Sequence, residues 1–123
     1  MGAGDDKFTA SNSGITIYGG PGNDTVTIAD GISGVVLDQN VERLNFSGTA
    51  SSYSFKQTGN KINIYNTGGT TLIASIPVQG DTDGTVLSFS NGTASALLSG
   101  GTMTLGGATV SPATAGGVVP TLK

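Results

Sequence analysis

Two aspartates stand where this chain could hold a cation. Asp24 sits in the run Gly19-Gly20-Pro21-Gly22-Asn23-Asp24-Thr25-Val26-Thr27, which has the form G-G-x-G-x-D-x-U-x with U a large apolar residue. Asp6 sits in Met1-Gly2-Ala3-Gly4-Asp5-Asp6-Lys7-Phe8-Thr9, the same template with Met1 in the place of the first glycine. Glycines let the backbone turn tightly and aim carbonyl oxygens at one point, and the aspartate adds a carboxylate. Hard oxygen donors of that kind suit Ca2+.

The elements that must position these donors are short strands. The last three residues of each run form a strand that cannot bury its single apolar side chain alone, so it needs copies of itself stacked on either side. Phe8, Ile17, Val26, Val35 and Leu44 recur every nine residues, and only Phe8 and Val26 carry the full loop chemistry before them. Asp6 and Asp24 are 24 − 6 = 18 residues apart. If two nonapeptides complete one coil, repeats two apart stack on the same side. Coils in a parallel sheet lie about 4.8 Å apart and calcium–oxygen bonds are about 2.3 to 2.6 Å, so Asp6 and Asp24 are expected to share one ion.

These residues resemble the calcium-binding repeats of the RTX (repeats-in-toxin) proteins of bacteria. The resemblance covers about the first 45 residues, including Leu37-Asp38-Gln39-Asn40-Val41-Glu42-Arg43-Leu44, which looks like the segment that often closes such arrays. It implies that Asp6 and Asp24 are side-chain ligands and that Gly2, Gly4, Gly20 and Gly22 donate carbonyls or form the turns. The middle repeat, Ala10 to Tyr18, has lost its aspartate, and one full motif is intact, so one calcium is expected and not a long ladder. A second site, with Asp38 and Glu42 and with Asp30 nearby, is a further candidate, because Glu42 is 42 − 24 = 18 residues beyond Asp24. The family also implies export through a signal at the far C-terminus, read by a one-step type I machinery. Val118-Val119-Pro120-Thr121-Leu122-Lys123 is not matched to such a signal.

Composition narrows the classes. Twenty-one glycines among 123 residues and few long charged side chains leave good helix formers scarce, and no stretch shows a helical apolar period. An all-β chain is expected. Without cysteine there is no disulfide to lean on, and without histidine a zinc site or histidine-based catalysis is not expected. Calcium is then the available staple. A net charge of −3, from eight acidic and five basic residues, supplies no positive field for nucleic acid. No apolar run approaches the roughly 20 residues that cross a bilayer.

Along the chain, Gly14-Ile15-Thr16-Ile17-Tyr18, Thr25-Val26-Thr27-Ile28 and Val35-Val36-Leu37 read as short strands. From Asn45 the glycine loops disappear and strands alternate with hairpin turns: Tyr53-Ser54-Phe55, a turn at Thr58-Gly59-Asn60, then Ile62-Asn63-Ile64 and a turn at Asn66-Thr67-Gly68-Gly69. Leu72, Ala74, Ile76 and Val78 share one face of a strand that Pro77 places at an edge. Asn91-Gly92 is the strongest hairpin signal, and Gly100-Gly101 and Gly106-Gly107 mark two more turns. An antiparallel meander is the simplest reading. Tyr53-Ser54-Phe55 and Gly84-Thr85-Val86-Leu87-Ser88-Phe89 carry a resemblance to modules that flank RTX arrays, and the physical role of such a module is a cap on the last coil.

Other residues read more plainly. Asp5 and Asn23 precede the ligand aspartates and are expected to face solvent. Asp81-Thr82-Asp83-Gly84 opens like an EF-hand loop but lacks the flanking helices and closing glutamate, so it reads as a polar turn. Tyr18, Tyr53 and Tyr65 could stack on a sugar, yet half-buried strand positions account for them. Paired acids for glycoside hydrolysis are not signalled.

The expected architecture is therefore a short parallel β-roll or β-helix over residues 1–44, a β-meander or small β-sandwich cap over 45–110, and a linker or tail over 111–123. The expected function is non-enzymatic: a calcium-stabilised structural module of a secreted or cell-surface bacterial protein, with other copies of itself as partners in a surface layer or matrix fibre. An adhesive, glycan-binding module and the non-catalytic tail of a type I-secreted enzyme are the alternatives. Neither nucleic acid nor membrane insertion is expected.

Overall fold

The structure, a computed structural model, describes residues 7–17, 24–29, 31–37, 41–78, 85–99, 101–111 and 116, with Glu42 and Ser99 described by their backbone alone. These residues form two sheets and no α-helix, in keeping with the all-β class read from composition. The first sheet has the order β1 (Lys7–Ala10), β3 (Asp24–Ile28), β5 (Val41–Phe46), β9 (Thr85–Phe89), β10 (Gly92–Ser99), β11 (Thr102–Leu105), β12 (Ala108–Thr109). The second runs β2 (Thr16–Ile17), β4 (Val35–Leu37), β8 (Leu72–Pro77), β7 (Lys61–Asn66), β6 (Tyr53–Thr58).

Each sheet changes character partway across. In the first, β1, β3, β5 and β9 are parallel neighbours, and β9 to β12 continue as an antiparallel meander. In the second, β2, β4 and β8 are parallel, and β8, β7 and β6 are antiparallel. The expected meander is thus two meanders, each extending one parallel stack. Strands from 1–44 and from 45–110 share both sheets and a single core.

The repeat of apolar positions sets the parallel register. Phe8 is opposite Val26, Val26 opposite Leu44, and Leu44 opposite Leu87, with Val26, Leu44 and Leu87 all fully buried. The residues between them alternate outward, giving a row Thr9, Thr27, Asn45, Ser88 and Thr93 on the outer face. On the second sheet the period of nine fails. Ile17 pairs with Leu37 and not Val35, whose partner is Ala74. The turn before β4 contains Gly31 and Gly34 at φ 79° and 68°, and its extra length shifts the strand by two residues. Gly34 N–H donates to Leu72 O and Val36 N–H to Ile15 O, which anchors that shifted path.

Turn chemistry accounts for the meanders. Gly59 at φ 59° opens the Gly59-Asn60 turn, the position a type II′ hairpin gives to glycine. Gly106 and Gly107, at φ 56° and 86°, make the two-residue turn between Leu105 and Ala108, which needs positive φ at both positions. At the third hairpin Phe89 pairs with Gly92, so Ser90 and Asn91 form the turn, one residue earlier than the Asn-Gly signal predicts. The edge position read from Pro77 is not observed either: β8 lies between β4 and β7. Proline is tolerated because it is the last residue of β8, beyond Ser75 where the pairing with β4 ends.

Candidate metal site

Asp24 opens β3, where the alternation of Asp24, Val26 and Ile28 points these residues inward and leaves Thr25 and Thr27 on the outer face. Its residue is fully buried, at 0% exposure. A carboxylate taken out of water is costly unless a cation or hydrogen-bond donors compensate it, so its surroundings must be polar or charged. Downstream of Asp24 the register follows the 18-residue repeat: Thr25 faces Lys7 on one side and Arg43 on the other.

At Asp24 itself the ladder is irregular. Asp24 pairs with Val41 and Thr25 with Arg43, so Glu42 is an additional residue in β5 at this junction. Glu42 is consequently not the register partner of Asp24, although it lies 18 residues further along the chain. A bulge relieves the strand of strict pairing and re-aims its side chains, and bulges gather at sheet edges and next to functional sites.

Of the eight acidic residues, Asp24 is the one with a described side chain. Asp6, Gly2, Gly4, Gly20, Gly22 and Asp38 lie outside the described residues, as do Asp5, Asn23, Asp30, Asp81 and Asp83. Among the described residues no three metal-binding side chains of the His, Cys, Asp or Glu type come together. The one donor of the expected set whose side chain is described is thus the buried Asp24 carboxylate.

At the far end of β3, the side chains of Ile28, Ile32, Phe46, Tyr53 and Ile73, together with Ala29, Gly31 and Ser47, line an open pocket of about 140 Å3. Beside it Phe46, Tyr53 and Phe89 pack with ring centroids 5.1 to 5.8 Å apart, and Phe55 meets Phe89 edge-on at 6.1 Å. The two phrases that resembled an RTX-flanking module thus supply three of these four rings. Tyr53 is half-buried and its hydroxyl accepts the Gly48 N–H at 3.0 Å; Tyr65 is half-buried on β7, and Tyr18 lies outside the described residues. Both described tyrosines occupy the half-buried strand positions expected of them.

Two polar networks were not legible in the sequence. Gln57 is buried on β6; its Nε2 donates to Gly59 O and Gly101 O, both at 2.9 Å, and its Oε1 accepts the Met103 N–H at 3.2 Å. One amide therefore ties the edge of the second sheet to the β10–β11 hairpin of the first. On the outer face of the first sheet, Arg43 Nε donates to Asn45 Oδ1 at 2.9 Å and its Nη2 donates to Ser88 Oγ at 3.1 Å, while Asn45 Nδ2 donates to Thr27 Oγ1 at 3.3 Å. Side-chain polarity at these positions looks like any solvated strand face until the register is known.

Comparison of the chain with models of protein families, with curated proteins and with solved structures found no match.

Proposed function

We propose that the chain is a calcium-stabilised structural module of a secreted or cell-surface bacterial protein, without catalytic activity of its own. The observation that carries this reading is the parallel pairing of β1 with β3 in which Lys7 faces Thr25. The two strands that follow the two glycine–aspartate runs are direct neighbours in one sheet, in the 18-residue register that a shared ion requires. Asp24, buried at the head of β3, supplies the carboxylate. The donors belong to separate stretches of chain that do not converge when unfolded, so calcium binding becomes folding energy. Extracellular calcium modules bind at about 10⁻⁴ to 10⁻³ M, which keeps such a chain loose at cytosolic calcium and folded outside the cell.

The test is a titration from chelator to millimolar calcium, followed by far-UV circular dichroism, on the wild-type chain and on Asp24→Asn. The β signal and the thermal midpoint of the wild type are expected to rise through the millimolar range, and the variant to need at least about tenfold more calcium. A wild-type chain equally folded and equally stable in chelator would refute the reading. So would a variant with an unchanged calcium midpoint.

A further inference from the structure

Asn91 is the one asparagine of the chain that glycine follows. It lies at the tip of the β9–β10 hairpin, where Phe89 pairs with Gly92 and the exposed residues Ser90 and Asn91 make the turn. Two hydrogen bonds dock that turn on the segment leading into β6: Ser90 N–H donates to Gly48 O at 2.9 Å, and Ala50 N–H donates to Asn91 Oδ1 at 3.2 Å. The amino end of the same side chain, Nδ2, has no partner among the described residues.

An asparagine carries an electrophilic carbon, Cγ, within reach of the next residue's backbone nitrogen, and joining the two closes a five-membered ring. The side chain of the following residue normally crowds that nitrogen, and glycine has none. Pairing with Phe89 also opposes closure, but the last rung at an exposed hairpin tip opens locally, at lower cost than the rungs inside the sheet. Negative charge develops on Oδ1 as the nitrogen adds, and the Ala50 N–H is aimed at that atom. Other asparagines lack this combination. Asn45 precedes Phe46 and is bonded to Arg43 and Thr27; Asn63 precedes Ile64 and is buried; Asn66 precedes Thr67, and its side chain holds the Thr70 and Thr71 N–H groups.

We propose that Asn91 is a site of spontaneous deamidation, which converts the β9–β10 turn to aspartate and isoaspartate forms and breaks the hairpin register in the second. The Gly92 nitrogen adds to Asn91 Cγ, so the N–Cγ bond forms as the Cγ–Nδ2 bond breaks, and Nδ2 leaves as ammonia with the proton given up by the Gly92 nitrogen. Water then opens the cyclic imide at one of its two carbonyls. Opening at the backbone nitrogen's bond to Cγ restores the ordinary main chain and leaves a carboxylate that accepts the Ala50 N–H as the amide did. Opening at the other carbonyl routes the main chain through Cβ and Cγ. That adds a carbon to a two-residue turn, so Phe89 and Gly92 lose their pairing and Ala50 loses its side-chain acceptor. Either product adds one negative charge to a chain already at −3. None of these residues belongs to the proposed calcium site.

The test is incubation of the full chain in excess calcium at mildly alkaline pH, where the attacking nitrogen deprotonates more readily, with charge-resolved chromatography and peptide mapping by tandem mass spectrometry over time. A synthetic peptide spanning Leu87–Ser95 sets the time scale. Asn91 is expected to lose its amide before any other asparagine, with an acidic species growing at the same rate. Asn91→Asp, which has no amide to lose at this position, should form no such species and keep the wild-type urea midpoint, whereas the purified isoaspartate form should unfold at lower urea. An Asn91 amide still intact when the peptide has fully converted, or earlier conversion at another asparagine, would overturn the inference. So would an isoaspartate form as stable as Asn91→Asp. Circular dichroism at each time point reports folding and separates this outcome from that of the calcium titration.

Discussion

Replacing Gln57 by methionine tests how the two sheets are held in register. The substitution keeps the length and approximate volume of the side chain and removes one acceptor and two donations. Gly59 and Gly101, which receive the donations, are exposed turn residues, so water takes over at their carbonyls and the loss there is small. Met103 is fully buried, and its N–H loses the Gln57 oxygen in a place water does not reach. An orphaned buried donor costs about 1–3 kcal/mol. The extra apolar surface of methionine offsets part of this, leaving an expected loss of about 2 kcal/mol. With a urea slope of about 1.5 kcal/mol/M for a chain of this size, the unfolding midpoint should fall by about 1.3 M. Urea unfolding in excess calcium, followed by far-UV circular dichroism, measures it, with Lys61→Gln on the exposed face as a control expected to change stability by less than about 0.5 kcal/mol. A Gln57→Met midpoint indistinguishable from that control would refute the claim that this amide joins the sheets.

Leu44→Ala should cost about 2–5 kcal/mol in the same unfolding assay, because Leu44 is fully buried between Val26 and Leu87 and neither neighbour can close the cavity without leaving its own register. The two glycine substitutions Gly48→Ala and Gly107→Ala should destabilise for different reasons. A Cβ on Gly48 would lie 2.9 Å from the Tyr53 hydroxyl, so the hydroxyl must move, the Gly48 N–H bond is lost, and near-UV circular dichroism from the ring cluster should change. At Gly107 nothing lies within 4 Å and the cost of about 1 kcal/mol is the strain of φ 86° alone, with the near-UV spectrum unchanged.

The sequence by itself determined the β class and most of the strands and turns, although Val41–Phe46, part of which reads as an array-closing segment, is strand β5. A chain rich in glycine, serine and threonine with alternating apolar residues has no face to offer a helix, and that information is local. The 18-residue spacing of Phe8, Val26 and Leu44 was also enough to set the parallel register of β1, β3 and β5, since slipping any strand by one residue would turn its buried side chain to solvent. The glycine pair at 106–107 was likewise readable as a turn, because two successive positive φ values admit little else.

Only the tertiary structure decided what depends on distant neighbours. Pro77 looks like an edge residue because proline lacks a donor, but whether a donor is needed there depends on how far β4 reaches along β8. Ile17 and Val35 keep the period of nine in sequence, yet the length of the turn before β4 shifts the pairing to Leu37. Glu42 keeps the 18-residue spacing to Asp24, but the bulge in β5 gives that partnership to Val41. Nothing in the sequence singles out Gln57; the β10–β11 hairpin, distant in the chain, supplies two of its hydrogen-bond partners. In each case spacing in the chain sets which residues can meet, and the packing of one sheet on the other sets which of them do.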